Sequence, residues 1–294
     1  MTAERVTKSG IITKCTGGLY TVETPDGIIE CKARGIFRNR GISPFVGDVV
    51  DISEGAVSEI HDRKNCIIRP PLANLDSLAF IVSTCNPSPN YLIIDKFIAV
   101  AEYKGIEPVI IITKTDIGDS SEIKEIYGNI GIDVIEIDYE NGETIEKVRG
   151  ILRGKVSALT GNSGVGKSTL LNAIDPKLNI PTAEISRKLG RGKHTTRTAR
   201  LYKLSEGGYI ADTPGFSTFD TNRYDIIRKN ELADCFREFG EYTGSCRFGD
   251  CSHTCEKGCG VIEAVKKGLI SERRHGSYCA MYDEARRLKE WEIK

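Results

Sequence analysis

Residues 156–168 read VSALTGNSGVGKS, and residues 169–176 continue TLLNAIDP. The apolar run 156–160 predicts a buried strand, and the run 168–174, stopped by Pro176, predicts a helix. Between them Gly161, Asn162, Ser163, Gly164, Val165, Gly166, Lys167 and Ser168 satisfy G-x-x-x-x-G-K-[ST] in full. Glycines here let the backbone wrap so that several N–H groups converge, and the helix that follows adds the positive end of its dipole. Such a loop cradles phosphates. Lys167 is expected to reach the β- and γ-phosphates and the Ser168 hydroxyl to take Mg²⁺, with Thr169 next in the nucleotide-binding set.

The flanking sequence alternates in the same style. Residues 78–85, 109–113, 134–137 and 209–212 are short apolar runs, while 91–104 and 121–130 carry a helical period. Residues 71–220 therefore predict a largely parallel sheet covered by helices. Residues 202–204 and 209–211, joined around Gly207-Gly208, predict a hairpin at its edge.

Two strand ends carry further nucleotide chemistry. Asp212-Thr213-Pro214-Gly215 offers a carboxylate for the Mg²⁺ shell and, at Gly215, an N–H for the γ-phosphate. Thr113-Lys114-Thr115-Asp116 ends another strand. Asp116 can accept from both N1–H and N2–H₂ of guanine, a pattern adenine cannot supply. Thr113 hydrogen-bonds within the box, and the Lys114 stem packs over the base. GTP is thus preferred over ATP, and the base-reading box precedes the phosphate loop. Residues 186–200, SRKLGRGKHTTRTAR, are basic and glycine-containing. In this position a threonine must fold over the γ-phosphate and Mg²⁺; Thr195 and Thr196 are the candidates, with Thr196 preferred. Phe216 stands where a Gln often orients water, and a phenyl ring cannot do so. Slow intrinsic hydrolysis follows unless His194 supplies that role, so the expected catalytic set is Lys167, Thr196 and, as a candidate, His194.

The chain has 294 residues, enough for two or three domains. Lys+Arg and Asp+Glu both number 41, so bulk charge gives no argument for nucleic acid. The N-terminal residues lack an apolar core of signal-peptide length, and no apolar run is long enough to span a bilayer; a cytoplasmic protein is expected. Residues 1–70 hold short strands at 10–14, 19–24, 28–32 and 48–53, separated by turn signals, which predicts a small β-barrel or sandwich. Lys32, Arg34, Arg38 and Arg40 lie between these strands, and a solvated basic surface is expected there.

Six of the ten cysteines follow Glu231. Cys246-x4-Cys251-x-His253-x5-Cys259 supplies three thiolates and an imidazole, the donor set of a closed structural Zn²⁺ site. Cys255 competes within the same stretch and is left out as a fifth ligand. Residues 277–294 predict a charged amphipathic helix, and Arg273-Arg274-His275 a solvated basic turn.

The order of guanine box, phosphate loop, switch threonines and D-T-P-G resembles the circularly permuted GTPases. In particular the chain is similar to the bacterial ribosome small-subunit-dependent GTPase A family. Residues 69–83 (RPPLANLDSLAFIVS), 161–174 (GNSGVGKSTLLNAI), 192–202 (GKHTTRTARLY) and 210–217 (IADTPGFS) carry that resemblance. It implies a multidomain fold: an OB-fold β-barrel with candidate RNA binding at 1–70, a permuted α/β P-loop GTPase domain at 71–220, and a mainly helical zinc-binding domain at 221–294. It also implies GTP hydrolysis in late small-subunit maturation, stimulated by that subunit. An RNA-binding factor using GTP only as a docking switch is the alternative. The implied cofactors are one Zn²⁺ on Cys246, Cys251, His253 and Cys259, and Mg²⁺ with GTP on Ser168, Thr196 and Asp212. The expected partners are GTP or GDP, the small subunit and its rRNA, with no membrane and a monomeric chain. Two departures stand out. Thr113 replaces the usual Asn, and residues 136–138 do not match the second base-contacting loop, to which no residue is assigned.

Overall fold

The computed structural model describes residues 7–180, 199–212 and 226–288, with the side chains of Arg38 and Asp212 outside that description. The strands are β1 (Lys8–Thr16), β2 (Leu19–Thr24), β3 (Gly27–Ala33), β4 (Val49–Ser53), β5 (Ala56–Ile60), β6 (Cys66–Ile67) and β7 (Leu72–Ala73). They continue as β8 (Ser77–Ser83), β9 (Glu107–Thr113), β10 (Asp133–Glu136), β11 (Val156–Gly161), β12 (Arg200–Lys203) and β13 (Tyr209–Asp212). The helices are α1 (Gly35–Asn39), α2 (Tyr91–Tyr103), α3 (Ser121–Gly128), α4 (Gly142–Leu152), α5 (Lys167–Ile174), α6 (Gly240–Thr243), α7 (Gly260–Lys266) and α8 (Glu272–Arg287). The chain forms two compact units, drawn from Met1–Leu78, Ile145–Thr160 and Lys167–Phe216, and from Ala79–Thr144, Gly161–Gly166 and Ser217–Lys294.

In the first unit, β1 pairs with β2, β2 with β3, β3 with β5, β5 with β4, and β4 returns to β1. The five strands close on themselves, which abolishes exposed edges. This settles barrel over sandwich. Alternation does the sorting: Ile12, Val22, Val50 and Val57 face inward at 0% exposure. The strand β5 was not legible, because only Val57 in AVSEI is buried. In the same unit β11 runs parallel to β13, β13 antiparallel to β12, and Lys14 of β1 sits opposite Arg200 of β12. Asp76 fixes the start of β8 by accepting from the Val156 N–H at 2.7 Å, and Ser77 meets the Ser157 hydroxyl at 2.8 Å.

In the second unit β10 is parallel to β9, and β8 is next in order. The fully apolar centre of β9, Val109 to Ile112, suits a strand covered on both faces. The C-terminal residues pack on α2 through one cluster containing Ala99, Val100, Phe236, Phe239, Tyr278 and Met281. Here one expectation fails. Arg274 is not in a solvated turn but in the first turn of α8, 1% exposed. Its Nη1 donates to Asp95 at 2.8 Å and its Nε to Glu238 at 2.8 Å, while Tyr127 donates to Asp95 at 2.9 Å. Burial works to strip the guanidinium of its proton, but the Asp95 and Glu238 carboxylates outweigh it and hold Arg274 charged. The helix also begins five residues before the expected 277 and is described to Arg287. The basic triplet looked polar, yet its middle residue supplies the charge that two buried carboxylates require.

Candidate functional site

The phosphate loop follows β11 as expected. Gly161 has no alternative: a Cβ there would lie 2.4 Å from the Ile81 carbonyl oxygen. Gly164 and Gly166 take φ of 86° and 94°, conformations that L side chains resist. Val165 is 1% exposed and anchors the loop, whereas Ser163 and Gly164 face outward. Lys167 opens α5, so Ser168 and Thr169 sit in its first turn, held by buried Leu170, Leu171 and Ile174. Asn162 and Ser168 are half-buried and Thr169 exposed.

The base-reading box is joined to this loop through Thr113. Its hydroxyl, 1% exposed with its residue, lies 2.7 Å from the Val165 carbonyl oxygen. From the position usually held by Asn, Thr113 thus still reaches the phosphate loop. Lys114 adopts φ of 59°, a left-handed conformation that costs energy in a non-glycine residue. Its carbonyl accepts from Thr84 at 2.6 Å, and its ammonium donates to the carbonyls of Cys85 and Asn86. The 84–86 segment was not singled out in the sequence, since carbonyl acceptors leave no side-chain signature. Thr115 donates to the Ile137 carbonyl at 3.0 Å, and the Asp116 carboxylate is exposed.

Residues 136–138 are already engaged. Glu136 accepts from Ser120 and from Lys124, the Ile137 carbonyl takes Thr115, and Asp138 accepts from the Glu140 N–H at 2.9 Å. His194, Thr195, Thr196, Gly215 and Phe216 lie outside the described residues, as does the side chain of Asp212.

The second cluster is assembled in full. The donor atoms of Cys246, Cys251, His253 and Cys259 all lie within 4.8 Å of one another. Cys246 Sγ is 3.9 Å from Cys259 Sγ and 3.5 Å from His253 Nδ1, which is 3.4 Å from Cys259 Sγ. A tetrahedral Zn²⁺ with ordinary bond lengths requires S–S edges of about 3.8 Å and S–N edges of about 3.6 Å. The residues fit the ion. Burial raises the Cys251 thiol to about 12 and raises that of Cys259, while burial lowers His253 and keeps its ring neutral. A divalent cation would supply the charge that displaces the thiol protons and would close the four side chains on one centre. Backbone N–H groups of Gly260 and Ile262 point at Cys246 and Cys259 sulfurs at 3.3 and 3.5 Å, and Cys259 caps α7. Cys255 is exposed and outside the cluster.

A supporting residue escaped sequence reading. Glu256 accepts from the N–H groups of Ser252, Thr254 and Cys255, tying the ligand-bearing turn together. Burial alone would raise its carboxyl, but Ser252 and these N–H groups drive it down to about 2. A lone Glu among charged neighbours gives no sign of this. Tyr278 adds a bond from α8 to the Ser252 carbonyl at 2.8 Å.

A phosphate loop and a T-K-x-D box upstream of it, each ending a strand of an α/β layer, define a circularly permuted P-loop GTPase. The RsgA GTPase family model matches residues 60–222, and the RsgA N-terminal domain model matches residues 9–59. The chain belongs to the RsgA GTPase family. It is 41% identical to the small ribosomal subunit biogenesis GTPase RsgA of Caldanaerobacter subterraneus subsp. tengcongensis, over 94% of this chain and 95% of that one. It is 40% identical to the protein of that name from Streptococcus pneumoniae serotype 4, over 96% of each. Among solved structures it superposes on YjeQ from Thermotoga maritima with a TM-score of 0.81 at 36% identity, covering 97% of this chain and all of that one. YloQ, described as a circularly permuted GTPase, gives 0.78 at 31% identity, covering 97% of each chain.

Proposed function

We propose that this GTPase acts in the biogenesis of the small ribosomal subunit, binding GTP there and hydrolysing it in response to the subunit. The observation that carries the reading is the bond from Thr113 to the Val165 carbonyl, which joins a guanine-reading box to a phosphate loop. The proposed nucleotide set is Thr113, Lys114, Asp116, Gly161 through Ser168, Thr169 and Gly215. Mg²⁺ is held by Ser168, Thr196 and Asp212, and Lys167, Thr196 and His194 act in hydrolysis. The Cys246, Cys251, His253 and Cys259 cluster takes one Zn²⁺, a structural role that its closed donor set supports. The domain limits proposed are 1–70, 71–220 and 221–294, with the barrel touching rRNA. The chain works as a monomer in the cytoplasm, where its partner resides; no described helix is long and apolar enough to cross a membrane. The names of the relatives support the ribosomal role.

Cosedimentation tests the reading. The protein should travel with purified small subunits in the presence of a non-hydrolysable GTP analogue and leave them with GDP. Equal retention with large subunits, or none with either, would remove the ribosomal assignment.

A further inference from the structure

The residue after the engaged 136–138 segment points to an unassigned contact. A Cβ built on Gly166 would meet a single described atom within 4 Å, the hydroxyl of Tyr139 at 3.9 Å. The phenol therefore hangs over the last glycine of the phosphate loop, from the loop that follows β10. That loop is held firmly. The Asp138 N–H donates to the Thr144 hydroxyl at 3.2 Å, which donates back to the Asp138 carbonyl at 2.9 Å, and Thr115 anchors Ile137 to the base-reading box. Four tyrosines of this unit spend their hydroxyls on protein: Tyr91 on Glu122, Tyr103 on Glu231, Tyr127 on Asp95 and Tyr278 on the Ser252 carbonyl. No described residue accepts from the Tyr139 hydroxyl, and burial pushes its pKa up, which keeps the proton on oxygen. Among the described residues it is a donor without an acceptor, and Tyr139 is 46% exposed.

We propose that Tyr139 is a nucleotide contact, its hydroxyl donating to the phosphate chain where the loop N–H groups cradle it. The proposal rests on the reading of residues 161–168 as the nucleotide loop. Loop N–H groups hold the α- and β-phosphates, so the contact serves GTP and GDP alike. A hydrogen bond to a charged oxygen is among the stronger kinds, and this one would slow nucleotide release. Tyr139 is thus an affinity-determining residue and not part of the bond-breaking machinery.

The test is binding of fluorescent GDP and GTP analogues to the full chain and to Tyr139→Phe. The expected result is that both dissociation constants rise about tenfold, mostly through faster release. Because the hydroxyl has no described partner, the unliganded variant should melt with the wild type. Equal affinities in the two proteins would overturn the proposal. Failure of the wild type to bind either nucleotide would overturn the reading of the loop itself. A loss that vanishes with a 2-aminopurine riboside diphosphate, which lacks O6, would place the hydroxyl on the base and overturn the phosphate assignment.

Discussion

The proposed guanine reading rests on two residues that would act differently. Asp116 is exposed and available to a base edge, whereas Thr113 is buried and acts by holding the box against the phosphate loop. Changing Asp116→Asn should weaken GTP by about two to three orders of magnitude, since two hydrogen bonds to a charged acceptor are lost. The variant should gain XTP in exchange, read by competition binding; unchanged GTP affinity would remove the box assignment. Thr113→Val preserves shape but strands the Val165 carbonyl, so GTP affinity should fall about tenfold. Thr113→Asn should recover it, because an amide restores a donor. The motif residues were legible because their chemistry requires particular side chains at particular spacings. Their partners were not: Lys114 is held by the carbonyls of Cys85 and Asn86, groups every residue possesses.

At the level of elements, periodicity foretold the β-strands and helices around the phosphate loop, and turn signals foretold most of the barrel. What failed to show was long-range pairing. Arg274 on α8 is matched by Asp95 of α2, separated by 179 residues, and no local pattern announces such a bond. Arg274→Met should cost about 3–5 kcal/mol in urea unfolding, since it leaves buried carboxylates uncompensated; adding Asp95→Asn should recover part of that loss. A cost under about 1 kcal/mol would show that the network is not structural. The turn that carries the cysteine–histidine cluster makes a similar claim. Glu256→Gln should speed zinc loss to a chelator roughly tenfold or more at pH 7, as expected for a residue orienting ligands. Its carboxyl is lowered from 4.5 to about 2, so its contribution is complete above pH 4.5 and is lost as pH falls towards 2. In the zinc-free chain the difference in urea-unfolding stability between Glu256→Gln and wild type should shrink across that window; a constant difference would assign the effect to something other than the charge.

For the whole molecule, the order of its motifs is more informative than any one of them. A guanine box ahead of a phosphate loop, a closed five-stranded barrel before both and a cysteine–histidine cluster after them together fit one family, and the comparisons agree over nearly the full length. Phe216 carries a ring that cannot orient water, so on the proposed reading hydrolysis draws on His194 or on a partner. The rate of GTP hydrolysis, measured for the purified chain with and without purified small ribosomal subunits, tests this directly. Slow turnover alone and stimulation on the order of tenfold or more by the small subunit are predicted. Rapid hydrolysis without the subunit, or a rate indifferent to it, would contradict the account.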